Sequence, residues 1–231
     1  MSFIEEFKKI KGSGAYILLA VLLLLPICIQ GVLGFGPIVT DYKYYVTTFG
    51  LFCRLFLSVA IGLLISLSFY NEYRRKGYLN VILNGHSFAN LIINKMLFFY
   101  TFILVYLLTA LFISLGFQLF DGSNIGLYYK ELLISFSFLF ITSILLINIH
   151  MFLCMFFNQH TMISLIISVL CSFLNVFIVP TQLWIMFPWS YPTRILYFAS
   201  LNTLDFVTIL LITICSFALI LYYNSINVRS T

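Results

Sequence analysis

Residues 132–157 read LLISFSFLFITSILLINIHMFLCMFF, a stretch of 26 residues that contains no Asp, Glu, Lys or Arg. A helix of about 20 apolar residues crosses the hydrocarbon core of a bilayer, so this stretch predicts a transmembrane helix. Five other runs are also long and predominantly apolar. The six predicted spans are Ala15–Gly34, Phe49–Tyr70, Lys95–Gln118, Leu132–Phe157, Met162–Trp184 and Asp205–Tyr223. The sequence therefore predicts an all-α membrane protein with a single transmembrane domain, residues 1–231, of six helices.

The composition agrees with a chain that lies mostly in lipid. Of 231 residues, 62% are hydrophobic and 8% are charged, against about 25% charged in a soluble domain. So few charges cannot cover a surface in water, which excludes a separate aqueous domain. The net charge of +5 comes with twelve Lys and Arg residues, mostly at the ends of apolar runs. Their expected partners are anionic lipid headgroups rather than nucleic acid.

The basic residues also predict the orientation, because Lys and Arg accumulate on the cytoplasmic side of a membrane. Those on one side are Lys8, Lys9, Lys11, Arg74, Arg75, Lys76, Lys95 and Arg229. The opposite side has only Lys43, Lys130 and Arg194. We therefore expect a multi-pass protein of the cell membrane with both termini in the cytoplasm. Arg54 lies within the second span, where its side chain is expected to snorkel to the outer interface; a functional charge is the alternative.

The N-terminal segment, residues 1–14, is predicted to form a short interfacial helix. Ser2 and Glu5 have the capping-box spacing, and Lys8, Lys9 and Lys11 suit the C-terminal end of a helix. The apolar run that follows, Ala15–Gly34, is interpreted as a retained span. A signal peptide is the alternative, but no small-x-small cleavage site follows the run.

Residues 71–95 read NEYRRKGYLNVILNGHSFANLIINK and form the most informative connection. This segment is too long for a tight turn and too polar at its start for a span. Its middle suits one or two amphipathic helical turns, which Asn84 and Gly85 would end.

The order of residues in this connection resembles that of ABC-2 (type-2) transporter permeases. The shared features are Glu72, Gly77, a leucine-rich run to Leu83, the break at Gly85 and the Lys95 that opens the next span. One extra residue separates Glu72 from Gly77, and Tyr78 stands where the family usually has Thr. The resemblance implies a type V exporter-like fold and a cytoplasmic coupling region at residues 71–94. The residues it assigns to coupling with a separate ATPase are Glu72, Gly77, Tyr78, Leu79, Leu83 and Gly85, with Asn158 and His160 as a second contact.

Within that family the chain looks like permease subunits of lantibiotic immunity transporters from Gram-positive bacteria. The similarity lies in the start Phe7–Lys11 and in the Pro188–Pro192 loop before the last span. It implies an ATP-binding partner subunit, a second permease copy or a related permease, and an amphipathic cationic peptide as substrate. Trp184, Trp189 and Tyr191 are then candidate peptide contacts, although interfacial anchoring is a simpler role for them.

Several motifs are missing from the chain. It has no G-x-x-x-x-G-K-[ST] phosphate-binding loop, so ATP and Mg²⁺ would be held by the partner subunit. It also has no HExxH, no G-x-S-x-G and no Cys/His cluster, so no catalytic or metal site is expected. The five cysteines are interpreted as free thiols, since no CxxC occurs and their number is odd. Alternatives that stay open are an exporter of another hydrophobic drug or lipid, a secondary transporter, and a non-transporting protein that sequesters the peptide.

Overall fold

The computed structural model of the chain describes residues 15–33, 49–74, 88–120, 129–157, 160–197 and 203–229. These residues form seven α-helices. The helices are α1 (Ala15–Leu33), α2 (Leu57–Arg74), α3 (Phe88–Phe120), α4 (Tyr129–Phe157), α5 (Met162–Ile178), α6 (Tyr191–Tyr197) and α7 (Thr203–Arg229). A π-helical turn, Phe52–Phe56, precedes α2, and two 3₁₀ turns, Gln182–Met186 and Pro188–Ser190, precede α6. The predicted interfacial helix, residues 1–14, lies outside the described residues.

Four of the described helical segments are long and apolar enough to cross a membrane. They are Phe49–Tyr73, Asn90–Phe117, Tyr129–Phe157 and Leu204–Tyr223. Two shorter apolar segments, Ile17–Ile29 and Met162–Ile178, correspond to the first and fifth predicted spans. The all-helical prediction is confirmed in the described residues, whereas the number of six spans stays a prediction.

Two of the predicted boundaries are wrong. Helix α3 begins at Phe88, before the predicted start of the span at Lys95. Lys95 does not mark a membrane surface, because it is buried and paired inside the protein. Helix α5 ends at Ile178 and does not continue to Trp184. Pro180 has no N–H to donate to the carbonyl of Val176, so the series of helical hydrogen bonds ends there.

Helix α5 has its polar side turned inward. Ser164, Ser168, Ser172 and Asn175 recur every three or four residues and are all buried. The opposite side is apolar and exposed, with Phe177 at 73%. A helix in water has the reverse arrangement. This distribution agrees with the low charge content of the chain, and it indicates that lipid surrounds the exposed side of α5.

The packing of α4 against α7 defines their relative direction. Phe138 stacks edge-on against Phe206 with ring centroids 4.5 Å apart, and Asn148 Nδ2 lies 3.0 Å from Ser216 Oγ. The residue numbers of the two contacts increase in the same direction along both helices, so α4 and α7 run parallel. The chain must therefore return between them from the end of α4 to its beginning, and α5 is the described helix that makes this return.

Helices α2 and α5 approach each other most closely at Gly62. A Cβ atom on Gly62 would lie 2.5 Å from the Cβ of Ser168, closer than real side chains come. At the same crossing the hydroxyls of Ser58 and Ser168 are 3.1 Å apart. Small residues permit such close helix packing in membranes, where the hydrophobic effect does not drive helices together.

Candidate functional site

The predicted coupling region is bounded by a buried ion pair. Glu72 lies near the end of α2 and Lys95 lies in the second turn of α3, and the Lys95 Nζ is 3.1 Å from the Glu72 Oε1. Their side chains are only 7% and 1% exposed, respectively. Lys95 Nζ also donates to Ser68 Oγ at 2.9 Å. The two ends of the segment that the sequence assigned to ATPase coupling are thus joined inside the protein.

Aromatic rings complete the surroundings of the Lys95 ammonium group. Its Nζ lies 4.9 Å from the centroid of the Phe69 ring and 5.9 Å from that of Phe99. Ring faces attract cations, and this attraction is stronger where water is excluded. Lys95 therefore has a carboxylate, a hydroxyl and two rings around one charge, which allows the charge to stay buried.

The other predicted coupling residues are mostly outside the described part of the chain. These are Gly77, Tyr78, Leu79, Leu83, Gly85 and Asn158. His160 is described, and it is exposed in the short connection between α4 and α5. Tyr100 of α3 donates to Asn148 Oδ1 of α4, and Lys95 of α3 lies near Cys154 of α4. Because the residue numbers change in opposite directions along the two helices, α3 and α4 are antiparallel, and Phe157 lies at the same end of the bundle as Lys95. We call this the Glu72 end. The structure thus places Glu72 and His160 at one end without a described contact between them.

A polar chain crosses the middle of the bundle. The Tyr100 hydroxyl and Ser216 both bond to the side-chain amide of Asn148, which is buried. These three residues belong to α3, α4 and α7. A buried amide that satisfies both its oxygen and its nitrogen in this way connects helices that are distant in the sequence.

His150 of α4 joins α5 to the segment that precedes α6. The indole N–H of Trp189 donates to its Nε2 at 3.3 Å, and its Nδ1 is 2.9 Å from Ser164 Oγ. Because indole nitrogen is only a donor, Nε2 must be unprotonated, so the proton is on Nδ1 and is donated to Ser164. Both ring nitrogens of His150 thus have partners within the bundle.

The Pro188–Pro192 loop is predicted at the interface, but Trp189 within it contacts His150 inside the bundle. Trp189 reaches His150, which is roughly 30 Å along the α4 axis from Tyr129. Trp184 is 7% exposed and Tyr191 is 1% exposed, and their rings pack against each other. The three candidate peptide contacts are thus brought together, and their described contacts are with the protein itself. Their role towards a peptide stays a prediction.

Arg54 does not snorkel to the surface as expected. It lies in the π-helical turn before α2, and its Nη2 donates to the carbonyl of Val176 at 3.0 Å. Asn175 Nδ2 in turn donates to the carbonyl of Arg54 at 3.0 Å. The last carbonyls of a helix have no partner within it and carry partial negative charge. Arg54 therefore holds the end of α5, a role that sequence patterns did not reveal because the two segments are far apart in the chain.

These features define a multi-pass α-helical membrane protein with polar contacts turned inward. Among the described residues, no group of three or more His, Cys, Asp or Glu could hold a metal ion. A family model described as ABC-2 family transporter protein matches residues 3–175, which include α1 to α4 and most of α5. The chain belongs to this family, and is thus a transmembrane subunit of an ABC transporter and not its ATPase. Comparisons with curated proteins and with solved structures give no match.

Proposed function

We propose that the chain is the permease subunit of an ATP-driven exporter and that residues 71–94 receive the movement of a separate ATPase subunit. The observation that carries this proposal is the buried pair of Glu72 and Lys95, which joins the two ends of that segment. A displacement of the segment by a partner would move α2 and α3 together, because the pair links them. Rigid helices that shift as a unit are a common means of transmitting such a movement.

The proposed substrate is a lantibiotic or similar amphipathic cationic peptide, which the transporter would expel from the cell membrane of a Gram-positive producer. The resemblance in the sequence supports this choice. The apolar outer surface of the helices supports a cargo that reaches the protein from lipid rather than from water. The proposed assembly has two permeases, from two copies or from a related subunit, and two ATPases that bind ATP and Mg²⁺, with both termini of this chain in the cytoplasm.

The test is to produce the chain with a candidate ATPase and to measure ATP hydrolysis in lipid nanodiscs and survival of cells exposed to the peptide. Glu72→Gln should lower both, since it removes the charge that pairs with Lys95. Glu131→Gln is the matched control, because Glu131 is an exposed acid at the opposite end of α4. Size-exclusion profiles show whether each variant is folded.

An ATPase variant that binds but does not hydrolyse ATP separates transport from sequestration. Export requires hydrolysis, so cells with this variant should lose protection. Full protection in those cells would show instead that the chain sequesters the peptide. If folded Glu72→Gln protein keeps full hydrolysis and full protection, the coupling role of the ion pair is refuted.

A further inference from the structure

A crevice lies between α4 and α7 on the outside of the bundle. It has a volume of about 270 Å³ and is lined by Leu133, Ile134, Ser137, Phe138, Ile141 and Phe206. The one hydroxyl in it, that of Ser137, donates to the carbonyl of Leu133 at 2.8 Å and so is already satisfied. The crevice therefore offers an apolar surface to its occupant.

The length and position of the crevice fit one leaflet of a membrane. Leu133 and Ile141 are separated by about 12 Å along the helix axis, and half of a hydrocarbon core is about 15 Å. With 29 residues, α4 is roughly 42 Å long and exceeds the hydrocarbon core. Lys130 and Glu131 in its first turn are exposed and charged, which favours placing this turn in the headgroup region. The crevice thus begins just below the headgroup region at the Tyr129 end of α4.

Lys130 stands directly above the crevice. Successive residues of a helix are about 100° apart, which puts Lys130 within about 20° of both Ser137 and Ile141. Its side chain is exposed, and it forms no ion pair or hydrogen bond with any residue that the structure describes. A lysine ammonium group in this position is available to a negative group at the mouth of the crevice.

The two described acids at this end of the bundle, Glu131 and Asp205, do not line the crevice. Glu131 is about 120° around the helix from Ser137. Asp205 is about 100° around α7 from Phe206, one helical turn before Ile209, which is buried against Trp184 and Leu145, and it has contacts of its own. Among the described residues, the charge on the crevice side of α4 is therefore positive.

We propose that this crevice binds a membrane phospholipid, with one acyl chain between α4 and α7 and the headgroup phosphate at Lys130. A cationic peptide is disfavoured, since Lys130 would repel it. A second copy of the chain is also disfavoured, because six lining residues are few against the roughly 800 Å² per partner of a stable interface. The site does not depend on which cargo the transporter carries.

The experiment uses the full chain in phosphatidylcholine nanodiscs that contain a small fraction of phosphatidylglycerol with a photoactivatable acyl chain. Mass spectrometry of the digested protein locates the label. We expect enrichment at Leu133–Ile141 and Phe206 over the lipid-exposed side of α5.

Ser137→Trp should reduce the enrichment to background by filling the crevice, whereas Leu170→Trp on the exposed side of α5 should not. Lys130→Ala should lower the enrichment about fivefold, because one basic residue contributes about that factor to the binding of an anionic lipid. Glu131→Ala should leave the enrichment unchanged.

Uniform labelling of the crevice and of α5 would overturn the proposal, since it would show surrounding lipid only. So would an enrichment that persists in both Ser137→Trp and Lys130→Ala. Disulfide formation between copies of a Ser137→Cys variant in the membrane would assign the crevice to a second permease. If added cationic peptide protected the crevice from labelling, and protected it equally in Lys130→Ala, the crevice would be assigned to the cargo.

Discussion

The Nζ of Lys95 lies 3.1 Å from the Oε1 of Glu72, and both side chains are almost completely buried. In the sequence, the two residues are the polar limits of a connection that is predicted to be cytoplasmic, and each could be explained as a solvated charge that sets the topology. Their burial changes that interpretation. A pair removed from water contributes only when it is intact, because either partner alone is a buried, uncompensated charge.

Lys95→Met is therefore expected to destabilise the protein by about 3–5 kcal/mol. The double variant Glu72→Leu/Lys95→Met should lose much less, since no charge is left without a partner. Unfolding in mixed micelles, followed by circular dichroism, measures both. A double variant that is destabilised as much as Lys95→Met, or more, would contradict the view that the pair acts as a unit.

The close approach of α2 and α5 predicts a specific sensitivity at one glycine. Gly62→Ala would place a methyl group 2.5 Å from Ser168 Cβ, and overpacking of this kind costs about 1–3 kcal/mol. Ser168→Gly in the same chain should recover part of the loss. Gly116→Ala is the control, because nothing lies within 4 Å of a Cβ added there, and it should be neutral or slightly stabilising. Equal melting temperatures for the two alanine variants would count against the described packing.

The polar chain through Asn148 predicts a graded series of losses. Tyr100→Phe removes one hydrogen bond and should cost about 0.6 kcal/mol, the average for hydrogen bonds between membrane helices. Asn148→Ala should cost more, because it leaves both Tyr100 and Ser216 without this partner. Thr101→Val is the control, since Thr101 is exposed and bonds within its own helix. The free energy of unfolding of each variant tests the order, and a larger loss for Thr101→Val than for Asn148→Ala would disagree with it.

Tryptophan fluorescence can test the fold of the segment before α6. The chain has two tryptophans, Trp184 and Trp189, and both lie in this segment. Because Trp184 is buried and Trp189 bonds to His150, aqueous iodide should quench the emission poorly.

His150→Leu removes the acceptor of the Trp189 indole N–H. It should therefore shift the emission of a Trp184→Phe chain, which reports Trp189 alone, and leave that of a Trp189→Phe chain unchanged. Quenching of both tryptophans as strongly as free tryptophan would place the segment at the surface instead.

The site could be predicted from the sequence only in part. Glu72 and Lys95 were both singled out, since rare charges between apolar runs are conspicuous. Their ion pair could not be predicted, because the spacing of two residues on different helices does not indicate which side of each helix faces the other. The bond of Arg54 to Val176 was missed for the same reason, and Trp189 was placed at an interface because aromatic residues near prolines are typical of one.

The sequence by itself determined that this chain lies in a membrane and is helical. Those conclusions need only the number of charges and the length of apolar runs, which are local properties that no tertiary contact can reverse. Only the tertiary structure decided how the helices pair, because pairing depends on which small or polar side chain of one helix meets which on another. Gly62 against Ser168, Asn148 between Tyr100 and Ser216, and Lys95 against Glu72 are contacts of this kind, and they determine where the few polar groups of a lipid-bound protein can be satisfied.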